Sequence, residues 1–168
     1  MMAAKRSVLT GAFDVLAGVT ITIGAIAIVS LVGVLAWQVI GRYVLNESPS
    51  WTEPVALTLM SVSALFGAAI AVRAESHFSF PTLVESSPPF LKAFLRSLAR
   101  FIAVIFGAAL AWFGFFLMID SWDTPMAGAP APEGLTYAGL AFGGALIGLF
   151  ALERLFTGAP AKPAHEGT

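Results

Sequence analysis

The residues able to do chemistry are few, and they cluster. The stretch GRYVLNESPSWTEP, residues 41–54, gathers Arg42, Tyr43, Asn46, Glu47, Trp51 and Glu53 inside an otherwise apolar chain. One guanidinium near two carboxylates supports ion pairing and polar docking, so Arg42 is expected to pair with Glu47, Glu53 or a partner's carboxylate. Arg73 and His77, four apart, share a helix face if their helix continues that far; they suit a contact at the inner loop or a solvated helix end. Lys92, Arg96 and Arg100 recur every four residues opposite Leu91, Phe94, Leu95 and Leu98. That basic amphipathic pattern fits an anionic lipid or partner interface, or an ordinary basic flank. Asp14 is the acid closest to an apolar run, and reads either as a helix-start carboxylate favoured by the dipole or as a proton-coupling group. No nucleophile, base and orienting group occur together. With no cysteine, and with His77 and His165 both outside the apolar runs, no metal-ligand set or haem site exists in the sequence. The residues therefore point away from an enzyme, a cofactor or a metal, and nothing in them suggests nucleic-acid binding.

The elements carrying these residues are membrane helices. Of the 168 residues 58% are hydrophobic and 11% charged, against about 25% charged in soluble domains. Four charge-free runs stand out: residues 15–41 (27 residues), then 54–72, 101–119 and 134–152 (19 each). Nineteen helical residues cover about 28 Å, close to the roughly 30 Å hydrocarbon layer. The expected fold is an all-α integral membrane protein with four transmembrane helices. It forms one four-helix membrane unit over residues 1–156, followed by a polar, Pro-rich tail, 157–168, that reads as disordered. The first run exceeds a signal-peptide core and reads as an uncleaved anchor, tilted or extending beyond the bilayer.

Lys and Arg near the helix ends set the orientation. With the N-terminus in the cytoplasm, Lys5, Arg6, Arg73, Lys92, Arg96, Arg100, Arg154 and Lys162 fall inside and only Arg42 outside, so both termini are expected to be cytoplasmic. Trp37, Tyr43, Trp51, Trp122 and Tyr137 then collect at the outer interface. Trp112, near mid-membrane, reads as a packing or lipid contact. The basic segment after Pro88 and Pro89 either lies in the interface as an amphipathic helix before the third span or forms that span's first turns.

No ionisable residue lies deep in a span, where transporters and proton relays usually place one. Gly139 and Gly143, then Gly144 and Gly148, have the spacing that lets helix backbones approach closely. Ser50 and Glu53 have capping-box spacing, so the second helix is expected to start there with reciprocal side-chain caps.

In this order and topology the residues resemble the small membrane subunit of tripartite ATP-independent periplasmic (TRAP) transporters, the DctQ-like small permease component. The similarity runs from about Ala12 to Phe156. It rests on RYVLNESPSWTEP after the first span, AVRAESHF after the second, and the final YAGLAFGGALIGLFALERLF. Arg42, Tyr43, Asn46, Trp51 and Glu53 match the family's outer motif, and Arg73 and His77 its inner one. Pro54 stands where the family often has a second acid, and Phe78 to Pro81 where it often has another.

The resemblance implies a non-catalytic subunit in the bacterial inner membrane. It would be a scaffold for a large membrane subunit that binds substrate and sodium, and would help dock a periplasmic substrate-binding protein for uptake of an organic acid or similar solute. Membrane lipids are the remaining partner. The alternative is a self-sufficient four-helix, proton-coupled exporter using Asp14.

Overall fold

The computed structural model describes the backbone of residues 2–47, 49–74 and 89–157. Helix α1 runs Met2–Tyr43, α2 Thr52–Arg73, α3 Pro89–Asp120 and α4 Ala138–Thr157, with a 3-10 turn, Glu133–Tyr137, leading into α4. Each is long and apolar enough to cross a membrane. At about 1.5 Å per residue the 42 residues of α1 reach about 63 Å and the 32 of α3 about 48 Å, both longer than a roughly 30 Å hydrocarbon layer. The first helix thus extends well past the bilayer. Within the described residues the basic segment is continuous with α3 and forms its first turns; residues 75–88, which precede it, lie outside the described set.

The helices form a row. α1 packs on α2, α2 on α4, and α4 on α3, so chain order and spatial order differ. The core is small: Ala17 of α1, Ala69 of α2, and Ile147 and Phe150 of α4 form one buried cluster, with Phe13, Leu16, Leu65 and Leu110 packed against it. The outward faces stay bare, with Val15, Val29 and Val32 on α1 and Trp112, Phe113 and Phe116 on α3 all exposed, as suits a lipid environment. Along the spans Thr20, Thr22 and Thr58 donate their hydroxyls to the carbonyls of Leu16, Gly18 and Pro54, each four residues back. These side chains therefore present no unsatisfied donor to the apolar phase.

α4 owes its central place to glycine. A Cβ at Gly139 would lie 2.5 Å from Ser61 Oγ, and one at Gly143 2.5 Å from Leu65 Cβ, both on α2. On another side of the same helix, a Cβ at Gly144 would come 2.5 Å from the Ala111 nitrogen of α3, and Gly148 lies against Gly107 and Ala108. Two pairs spaced by four thus face two different neighbours, and van der Waals contact between close backbones replaces the hydrophobic drive that lipid does not supply.

At the Arg42 end the two short connections touch. Asn46 takes a left-handed backbone (φ 52) and Gly128 another (φ 79), and a side chain at Gly128 would strike Ser50. The expected capping box is not formed. Trp51, which flanks α2, already has helical dihedrals (φ −76, ψ −18) and no side-chain cap, whereas a capping residue needs an extended backbone. Thr52 is fully buried, and its hydroxyl donates instead to the Pro49 carbonyl at 2.8 Å.

Candidate functional site

The best-organised polar group of the molecule lies at the opposite end, around Arg73. As the last residue of α2 it carries its guanidinium off the end of an apolar helix, toward the flanks of α1 and α4. Its Nε donates to Glu153 Oε2 at 3.0 Å and its Nη2 to Glu153 Oε1 at 3.3 Å, a two-point pairing of planar guanidinium with carboxylate. Nη2 also donates to Asp14 Oδ1 at 2.6 Å. One cation therefore joins three helices.

Below the guanidinium lies the Phe150 ring, 5.6 Å from Cζ to centroid, an electrostatically favourable stacking. Phe13 of α1 approaches the same ring at 6.4 Å, tilted by 59°. Arg154 closes the arrangement by donating Nε to the Arg73 carbonyl at 2.7 Å, satisfying a backbone acceptor that the end of α2 leaves without a helical partner. Side-chain exposure grades the cluster: 6% for Glu153, 16% for Arg73 and 71% for Asp14. No buried side-chain nitrogen or oxygen among the described residues lacks a partner.

Chemically this arrangement holds rather than reacts. Both carboxylates are occupied by the same guanidinium, and no group of three or more metal-ligating side chains occurs among the described residues. Asp14 is not a helix-start carboxylate, since α1 begins at Met2 and has no acid in its first turn; it sits three turns inside and faces Arg73. Glu153 and Arg154 entered the sequence reading only as a run boundary and an orientation charge. A signal for them existed. Asp14, Arg73 and Glu153 each bound a charge-free run at what alternating helices make the same end, and two acids with one arginine there call for pairing.

The other candidate residues are dispersed. Arg42, Tyr43, Glu47, Trp51 and Glu53 are exposed at the far end together with Asn46. Among the described residues neither glutamate forms an ion pair with Arg42. α2 ends at Arg73 with Ala74 as its cap, and His77 lies outside the described residues. Arg96 is exposed and Arg100 partly exposed on the first turns of α3, while the Lys92 side chain lies outside the described set. The tail beyond residue 157 does too.

Comparison with known proteins agrees with this architecture. The family model described as "Tripartite ATP-independent periplasmic transporters, DctQ component" matches residues 31–161. A Haemophilus influenzae protein named as a TRAP transporter small permease is 29% identical over 136 residues, covering 79% of this chain and 83% of the relative. The sialic acid TRAP transporter small permease protein SiaQ of Vibrio cholerae is 34% identical over 59 residues, 35% of this chain and 34% of the relative.

Proposed function

This chain belongs to the DctQ component family of tripartite ATP-independent periplasmic transporters, and from that premise we propose that it serves as a fixed scaffold on which the other two components work. As a small permease of that family with four spanning helices, it is a multi-pass inner-membrane protein. In the proposed role a large membrane subunit binds and moves an organic acid or similar small solute together with sodium, and this chain moves nothing itself. The Arg42 end faces the periplasm, both termini lie in the cytoplasm, and the exposed Arg42, Glu47 and Glu53 help receive the binding protein.

The observation that carries this reading is the Arg73 cluster. A guanidinium held at once by Asp14 and Glu153 locks α1, α2 and α4 together and leaves neither carboxylate unengaged. A translocating subunit needs ionisable groups that change partners inside the membrane; a scaffold needs groups that keep theirs. The decisive measurement is uptake by the large subunit in proteoliposomes, with the binding protein outside and an inward sodium gradient. Uptake is expected with this chain and to be lost without it; full uptake in its absence removes the scaffold role.

The alternative, a proton-coupled exporter using Asp14, has less support, because that carboxylate contacts Arg73 at 2.6 Å near one end of the row. Asp14→Asn abolishing transport while the complex still assembles would favour it.

A further inference from the structure

The turn that follows α1 carries apolar side chains where the spanning helices give them no cover. α1 ends at Tyr43, and the chain then doubles back on it. The amides of Val44 and Leu45 donate to the Ile40 carbonyl at 2.8 and 3.3 Å, and that of Glu47 to the Gly41 carbonyl at 3.0 Å. Asn46 makes the reversal in its left-handed conformation. Gly41 lets the returning chain pass, since a Cβ there would lie 2.9 Å from both the Glu47 carbonyl oxygen and Pro49 Cδ. With Pro49 thus beside Gly41, and α2 starting only at Thr52, residues 42–46 stand beyond the α1–α2 contact as a tip.

That tip is bare and well supported. Tyr43 is 75% exposed, Val44 70% and Leu45 58%, and three consecutive apolar side chains left exposed outside a span call for a function. Its base is held by the Thr52 hydroxyl bond to Pro49 and by the approach of Gly128 to Ser50. The connection bearing Gly128 is itself closed by the bond from the Met126 amide to the Ala131 carbonyl at 2.8 Å, with Met126 buried beneath. A surface fixed in advance spends little ordering entropy on binding.

Charge selects what covers the tip. Residues 42–53 and 120–133, which meet at this end, hold five carboxylates and one guanidinium. None of the five is in an ion pair among the described residues. Such a face repels anionic lipid headgroups and the same face of a second copy, and it attracts a protein that presents lysine and arginine.

We propose that Tyr43, Val44 and Leu45 are the apolar anchor of the docking surface, seated in an apolar recess with a basic rim on the periplasmic binding protein. This rests on the reading of the Arg42 end as the periplasmic docking face. The carboxylates steer the encounter and so govern association, whereas the buried tip governs how long the complex lasts.

The test is capture of the binding protein by the complex of large subunit and this chain in lipid nanodiscs, followed in real time. Leu45→Ser should weaken capture about tenfold, through faster dissociation, with the association rate and its salt dependence unchanged. Leu45→Met, which keeps the apolar volume, should hold capture near the unsubstituted level. Because the chain has no native cysteine, Leu45→Cys labelled with bimane before reconstitution reports on the tip alone. Its emission should shift to the blue only when the binding protein is added. Equal capture by the large subunit without this chain overturns the docking reading and the anchor with it. Capture that needs this chain but is unchanged in Leu45→Ser overturns the anchor alone. Blue-shifted emission before the binding protein is added overturns it in favour of burial against lipid or the large subunit.

Discussion

Glu153 and Asp14 hold the same arginine, yet their removal should have very different effects. Glu153 is 6% exposed and accepts two guanidinium bonds, at 3.0 and 3.3 Å. Neutralising it strands most of a half-buried cation over Phe150, and breaking a buried pair from one side costs about 3–5 kcal/mol. That is at least a 100-fold change in the folded-to-unfolded ratio. Asp14 is 71% exposed, and an exposed partner contributes about 0–1 kcal/mol even at a short distance. Salt should separate them further, since added ions screen exposed pairs far more than buried ones. The assay is reversible unfolding in mixed detergent–SDS micelles, comparing Glu153→Gln and Asp14→Asn at low and high ionic strength. Glu153→Gln is expected to be the more destabilised by at least about 2 kcal/mol, with the Asp14→Asn deficit shrinking in salt. Equal losses, or a larger loss for Asp14→Asn, would refute the assignment of Glu153 as the anchor and Asp14 as the rim.

Other substitutions probe the packing and the far end. Gly144→Val should cost about 1–3 kcal/mol as overpacking, because even a Cβ there meets α3 at 2.5 Å; Gly18→Ala on α1, with nothing within 4 Å, should stay within about 0.5 kcal/mol in the same unfolding assay. Gly128→Ala is expected to destabilise by about 1–2 kcal/mol, since it combines a left-handed backbone with a collision against Ser50; thermal unfolding reads this directly. Arg42→Gln should leave stability within about 0.5 kcal/mol, as no intrachain pair is lost, while weakening capture of the binding protein by the assembled membrane complex. Unchanged capture would remove Arg42 from the docking surface.

The spans were legible because charge is expensive in hydrocarbon: Asp14, Arg73, Arg100 and Glu153 each mark where a charge-free run stops. The two glycine pairs of α4 were legible as a spacing, though not which neighbour each pair meets, because spacing carries no information about order in space. The cluster around Arg73 was half legible. Arg73 stood out by its motif, but its partners lie 59 and 80 residues away along the chain, and pairing over such distances is settled by the helix arrangement. Asp14 was misplaced for a local reason. Nothing in the residues before it stops a helix, so α1 continues back to Met2. The capping box failed because Trp51 had already turned helical, a backbone property that the Ser50 and Glu53 spacing does not report.

Among the described elements only α4 and the 3-10 turn that leads into it pack substantially on both α3 and α2, so the order of synthesis acquires a meaning. The α1–α2 hairpin and α3 enter the membrane with no substantial surface for each other and wait as separate pieces until the C-terminal helix arrives. Both carboxylate bonds from Glu153, and the backbone bond from Arg154, then form in one step. A chain that stops before residue 133 would hold the α1–α2 hairpin and α3 undocked from each other, without the packing that makes one subunit of them.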